Sequence, residues 1–179
     1  MKKIHIVGGA GSGKTYLSEI LSSKLNISCY DLDDIFWDNS TDYYNKKADK
    51  NVRDKKLKDI LQNDSWIIEG VYYRWLSESF EKSDVIIILK THIFIRDFRI
   101  IKRFIKRKLG IVSFKKKDTF KGLIELLKWN HVYDKKNLIE IEDMLDVYRQ
   151  KKVLLKNRNE VSKYISIIVN NEYIKKKKF

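Results

Sequence analysis

The stretch Gly8-Gly9-Ala10-Gly11-Ser12-Gly13-Lys14-Thr15 fits the pattern G-x-x-x-x-G-K-[ST] at every position. It follows the apolar run Ile4-His5-Ile6-Val7 and opens Tyr16-Leu17-Ser18-Glu19-Ile20-Leu21, whose apolar residues recur at helical spacing. A strand, a glycine-rich turn and a helix in that order predict a phosphate loop, and each residue type has a reason to be there. Glycines let the backbone curl so that successive N–H groups point inward at phosphates. The helix N-terminus adds its partial positive charge. Lys14 can bridge the β- and γ-phosphates, and the Thr15 hydroxyl can ligate Mg²⁺. Gly8 through Tyr16 are therefore the expected nucleotide-binding residues, with ATP and Mg²⁺ as the expected cofactors. The alternative, a bare glycine turn before a helix, does not account for the lysine and threonine. The motif does not specify the reaction of the bound nucleotide, because kinases, ATPases, GTPases and motors share it. An Asn/Thr-Lys-x-Asp guanine-reading motif is absent, and so is a second set of motor motifs.

Outward from the loop, four more β-rich runs follow: Ile27–Leu32, Trp66–Glu69, Asp84–Leu89 and Lys152–Leu155, the first being Lys3–Val7. Helical patterns separate them, at roughly 14–25, 50–62, 72–81, 92–108, 119–131, 135–150 and 158–168. Strands alternating with helices predict βαβ units and a parallel sheet covered on both faces. Ile86-Ile87-Ile88-Leu89 is apolar without alternation, as a strand buried on both sides requires. At 179 residues, with no internal repeat and no proline, the chain reads as one α/β domain over 1–179, with a basic lid at about 109–119. No run of about 18 apolar residues exists to span a membrane. The lone Cys29, read as a core residue, excludes an internal disulfide and agrees with a cytoplasmic location.

The net charge of +14 is unevenly placed. Residues 1–90 balance at 14 basic and 14 acidic, while 91–179 carry 24 basic against 10 acidic. A basic half suits a polyanion: nucleotide phosphates, nucleic acid or an acidic surface. The four lysines at 175–178 read as a solvated tail. Arg96, Arg99, Arg103 and Arg107 fall at spacings of three and four on one helix stripe, leading into Lys115-Lys116-Lys117. Arg99 and Arg103 are the expected catalytic guanidiniums, clamping the triphosphate and stabilising transition-state charge. A solvated basic face is the other reading, and Arg96 belongs to it. Nucleic-acid binding is the third reading; it is not favoured, since no base-reading motif accompanies the stripe.

Carboxylates gather at the ends of the second and third strands. On an extended segment Asp31 and Asp33 face the same way, beside the phosphate loop. One of the two could hold a Mg²⁺-bound water and the other accept a proton from an acceptor hydroxyl; the alternative is an aspartate cap on a following helix. Glu69, before Gly70, stands where a Walker B carboxylate orders Mg²⁺ or acts as a base. His5, His92 and His131 share no metal-ligand spacing. Trp37, Tyr43, Tyr44, Trp66, Tyr72, Tyr73 and Trp75 cluster after strands two and three, as stacking surfaces for an acceptor or as packing.

These motifs together resemble the adenylate-kinase-related P-loop kinases, and in particular the bacterial topology modulation proteins. Leu32-Asp33-Asp34-Ile35-Phe36-Trp37 matches their L-D-x-l-x-W, and Trp66-Ile67-Ile68-Glu69-Gly70-Val71-Tyr72 their W-I-I-E-G-N-Y. Arg99, Lys102-Arg103, Leu126-Leu127-Lys128-Trp129 and Lys151-Lys152-Val153 extend the likeness. Asp31-x-Asp33 is similar to the D-x-D of shikimate kinases, which implies Mg²⁺ for the first and the acceptor hydroxyl for the second. The strand-four ending departs, reading Leu89-Lys90-Thr91-His92-Ile93 without the family's L-D-x-P-R, and the lid motif is reduced to Lys116-Lys117-Asp118. The resemblance implies a five-stranded parallel sheet of order 2-3-1-4-5 and a lid after strand four. It also implies Mg²⁺-dependent transfer of a γ-phosphoryl group from ATP to a small acceptor, a nucleoside monophosphate or a hydroxyl metabolite, by a monomer or homodimer. A nucleotide-gated nucleic-acid binder and an ATP-binding homologue without turnover remain the alternatives.

Overall fold

The computed structural model describes residues 2–38, 40, 46–111 and 119–176, with side chains to 170. Five strands form one parallel sheet: β1 (Lys3–Gly8), β2 (Cys29–Asp31), β3 (Trp66–Gly70), β4 (Val85–Leu89) and β5 (Lys152–Leu155). Their order is β2-β3-β1-β4-β5, as the resemblance implied. The connecting helices are α1 (Lys14–Leu25), α2 (Asp33–Phe36), α3 (Lys50–Leu61), α4 (Ser77–Lys82), α5 (Ile93–Lys108), α6 (Phe120–Val132), α7 (Leu138–Met144) and α8 (Arg158–Lys176). A π-helical turn at Tyr133–Asn137 joins α6 directly to α7, so the predicted break before 135 does not exist. The helix predicted at 72–81 starts only at Ser77, and α2 lies outside every predicted helix.

Both sheet faces are dry, with period-two alternation. Ile4, Ile6, Ile67, Val85 and Ile87 pack with Leu17 and Leu21 of α1 and Ile168 of α8. Val7, Trp66, Ile68, Ile86 and Ile88 pack on the other side with Leu57, Leu61, Phe80, Tyr133 and Ile141. Cys29 is exposed, not core, because β2 is a short edge strand and its side chain falls outside both clusters. Among the described residues no helix is long and apolar enough to cross a membrane. Of the expected lid at 109–119, residues 112–118 with Lys115–Lys117 lie outside the described residues, as do Tyr43, Tyr44 and the tail lysines' side chains.

His5 is wholly buried in the face opposite α1, with Nδ1 2.8 Å from Ser79 Oγ and its ring against Phe80. Burial pulls its pKa from 6.5 down to about 3, so the folded protein holds it neutral. The unfolded chain takes up a proton that the native state refuses; stability is therefore complete above pH 6.5 and falls as pH drops toward 3. Urea unfolding at pH 7 and pH 5 should show His5→Gln losing less stability than the parent, by about 1.4 kcal/mol per pH unit below 6.5. Equal losses would show that His5 is not the group responsible.

Candidate nucleotide and phosphoryl-transfer site

The loop leaves β1 at Gly8 and enters α1 at Lys14. Gly11 and Gly13 take left-handed φ of 74° and 101°, which side-chain-bearing residues rarely adopt. Around Gly9 the packing is closer still: a Cβ there would lie 1.8 Å from Arg96 Nη1. The cradle fits an anion. Ser12 Oγ is buried with no partner in the protein, and Lys14 Nζ donates back into its own loop, to Gly9 O at 3.2 Å. Burial lowers the Lys14 pKa, opposed by Glu69, Asp33 and Asp31 and reinforced by Arg103.

Strand alternation delivers the carboxylates. Glu69 shares its face of β3 with Ile67, the side that α1 covers, and there its Oε1 accepts the Thr15 hydroxyl proton at 2.5 Å. Its Oε2 lies 4.0 Å from Lys14 Nζ, and the residue is buried. Asp31 stands level with Glu69 across the β2–β3 pairing. Burial first, and then the neighbouring Glu69 and Asp33 carboxylates, push Asp31 up to about 7.

Asp33 is not on an extended segment with Asp31. It starts α2, and its N–H donates to Asp31 Oδ1 at 2.9 Å in an Asx turn; the cap position itself is Leu32, which makes no side-chain cap hydrogen bond, so the expected aspartate cap does not form. The turn still brings Asp33 to the cleft, where Tyr72 Oη donates to its Oδ1 at 2.7 Å. Burial, with Asp33 beside it, drives the Tyr72 phenol well above its ordinary range and keeps it a donor. Phe36 stacks on Tyr72 at 4.3 Å between centroids, Trp75 follows at 5.9 Å from Tyr72, and the Arg53 guanidinium lies 4.3 Å over Trp75.

The arginine stripe divides. Arg99 is exposed and caps the loop from outside, its Nη1 donating to Gly11 O at 3.1 Å and Ser12 O at 3.2 Å. Arg103 is exposed and close enough to Lys14 to lower its pKa. Arg96 is a correction: it is 1% exposed, not a solvated residue. Its Nη2 donates to Asp134 Oδ1 at 2.6 Å, and burial lowers its pKa against that pairing. The guanidinium fills the space behind Gly9, since glycine leaves room there for its Nη1. Thr91 Oγ1 donates to Ser12 O at 3.0 Å, a second support that sequence reading missed. Neither had a local signal, because Asp134 reaches Arg96 only when α6 folds back on α5. Tyr16 is half exposed on α1, and His131 pairs with Asp97 instead of joining the site.

Among the described residues no cluster of three or more His, Cys, Asp and Glu could hold a metal ion alone. Thr15 and Glu69 are hydrogen-bonded to each other, and Asp31 stands level with Glu69 across the strand pairing, so three oxygen-bearing side chains gather beside the loop.

The fold is shared with two solved shikimate kinases. The enzyme from Acinetobacter baumannii in complex with shikimate superposes with TM-score 0.56 at 16% identity, over 96% of this chain and 94% of that one. That from Bacteroides thetaiotaomicron gives 0.50 at 14%, over 95% and 97%. The uncharacterized protein YqaC of Bacillus subtilis (strain 168) is 33% identical over 89 residues, 49% of this chain, and the chain matches about half of that relative's length, 48%. The phosphate loop, the strand carrying Glu69 and the arginine helix all fall inside residues 4–109, the span that the AAA domain profile matches. On that match the chain belongs to the AAA domain family, with a P-loop kinase-like fold.

Proposed function

We propose that the protein is a Mg²⁺-dependent kinase that transfers the γ-phosphoryl group of ATP to a hydroxyl of a small acceptor. The observation that carries this reading is the pairing of Thr15 with Glu69 at 2.5 Å, beside buried Lys14, with Asp33 nearby and hydrogen-bonded by Tyr72. A phosphate loop alone binds nucleotide; a second carboxylate near it would add a place for a proton to go.

In this reading the loop N–H groups and Lys14 hold the triphosphate. Thr15, Glu69 and Asp31 would hold Mg²⁺, which when bound would supply neutralising charge to the phosphates. Asp33 accepts the acceptor's hydroxyl proton as its oxygen bonds to the γ-phosphorus and the bond to the β–γ bridging oxygen breaks, releasing ADP. Arg99 and Arg103 stabilise the charge that develops on the transferring group. The single domain and the lid at 109–119 are part of the same proposal, the lid excluding water during transfer.

The test is acceptor-stimulated ADP release with MgATP. Glu69→Gln should lower that rate by about 100-fold while nucleotide-dependent thermal stabilisation persists, because the amide keeps the shape and loses the charge. An undiminished rate would remove Glu69 from the machinery.

A further inference from the structure

We propose that the outward face of α5 is a docking surface for an anionic lipid bilayer, on which the helix lies in the plane of the headgroups. The surface is separate from the phosphate loop, and nothing in it depends on what the bound nucleotide does. Phe94, Phe98, Ile101, Ile105 and Leu109 recur at spacings of three and four, so they form one stripe along α5 and its C-cap. All are exposed, Phe94 at 71% and Phe98 at 65%. The helix buries a different set, Arg96, Ile100 and Phe104, against the domain. Arg99 turns to the loop carbonyls, and Ile101, two residues on, projects on nearly the opposite side of the helix. α6 runs back along α5, with Phe120 on Phe104 at one end and His131 on Asp97 at the other. Phe120 and Ile124 lie one turn apart on that edge of α6, both exposed, and widen the apolar surface.

Charge identifies the occupant. Apart from Asp97, which pairs with His131 and accepts from Asn130, every charged residue of α5 is basic. Lys102, Lys106 and Lys108 are exposed on the flanks of the stripe, and on α6 the exposed Lys121 and Lys128 outnumber Glu125. Lys102 Nζ rides 5.9 Å over the Phe98 ring. Lys108 Nζ stands 5.6 Å from the Phe104 ring and 5.9 Å from that of Phe120. Ammonium groups thus sit directly beside the apolar side chains. A bilayer with anionic headgroups meets both demands at once. Its hydrocarbon takes the phenylalanines and isoleucines, and its headgroup phosphates take the lysines, whose long stems reach outward. Nucleic acid would pair with the lysines and leave the apolar stripe in water. A second copy docked about a twofold axis would set these lysines against themselves. Monomeric proteins seldom leave so continuous an apolar stripe without a partner.

The experiment is co-sedimentation of the full chain with vesicles of phosphatidylcholine alone and of phosphatidylcholine mixed with phosphatidylglycerol, at low and physiological salt. Binding should be about tenfold or more tighter on the anionic vesicles and should weaken as salt rises. Phe94→Ser with Phe98→Ser should cut it by about tenfold or more, and Lys102→Glu with Lys106→Glu by a similar factor. Melting temperature and MgATP-dependent stabilisation should not change, since all four side chains are exposed. Should the serine pair melt early, Ile105→Gln alone takes its place, with binding again reduced. The serine pair decides the matter, because a basic protein held by charge alone would lose nothing with it. Full binding by that variant would overturn the proposal, as would equal binding to both vesicles or none to the anionic ones. Two further results would also overturn it. A dimer in analytical ultracentrifugation that the serine pair splits, with vesicles left unbound, would assign the face to a second copy. Competition by duplex DNA that the serine pair does not affect would assign it to nucleic acid.

Discussion

Replacing Lys14 by alanine is expected to reduce phosphoryl transfer by at least about 100-fold while the domain stays folded. Lys14 is buried, and its ammonium is kept in place by three carboxylates against the cost of desolvation. That arrangement is poor for stability and useful for a triphosphate, which would supply the charge the burial lacks. Alanine is a strong helix former at the first residue of α1, so local helix propensity is preserved. Glu69 keeps its hydrogen bond from Thr15 when the lysine goes. ADP release measured alongside a circular-dichroism melt separates the two effects. Full activity in Lys14→Ala would sink the functional assignment, and a collapsed melt would show the lysine to be structural.

The second large effect is expected at Gly11→Ala. With φ at 74°, any side chain there is strained, at about 1–3 kcal/mol. The added Cβ would also stand 2.6 Å from the main-chain oxygen of Arg96 and 3.2 Å from its Cα, and a helix backbone cannot step aside as a flexible side chain can. Gly110 is the internal control: its φ of 69° imposes similar strain, with nothing within 4 Å of the added atom. Gly110→Ala should lower the melting temperature by roughly 2–4 °C for each kcal/mol of strain and leave nucleotide binding alone. Gly11→Ala should fall further and lose MgATP-dependent stabilisation. Equal melting temperatures for the two variants would show that the loop does not press on Arg96.

The phosphate loop, the five strands and the Glu69 carboxylate were legible because each is a local pattern. A glycine-rich turn, an apolar run and a strand-ending acid are all written in consecutive residues. Asp33 was half legible. It lies beside Asp31, but Asp31 supplies an oxygen to its N–H in an Asx turn that leads the chain into α2, a competition between strand and turn that residue spacing leaves open. Arg96 was misread because exposure is a tertiary property. On the helix stripe it looks like Arg99 and Arg103, and only the partner Asp134, arriving from beyond α6, makes its burial tolerable. Cys29 failed in the opposite sense, since an edge strand offers β-type sequence without two covered faces.

The position of β1 bears on how the chain acquires its shape. Ile4 lies beside Ile67 on one side and Val85 on the other, so the strand that carries the nucleotide cradle precedes both of its neighbours by long stretches of sequence. Local helices can form early, but the central strand has nothing to pair with until distant segments return to it, which makes its docking a slow, entropically costly step. The cradle is therefore expected to be complete only once β3 and β4 have docked on β1, so MgATP should slow unfolding and leave the refolding rate unchanged, which stopped-flow measurements with and without it would check.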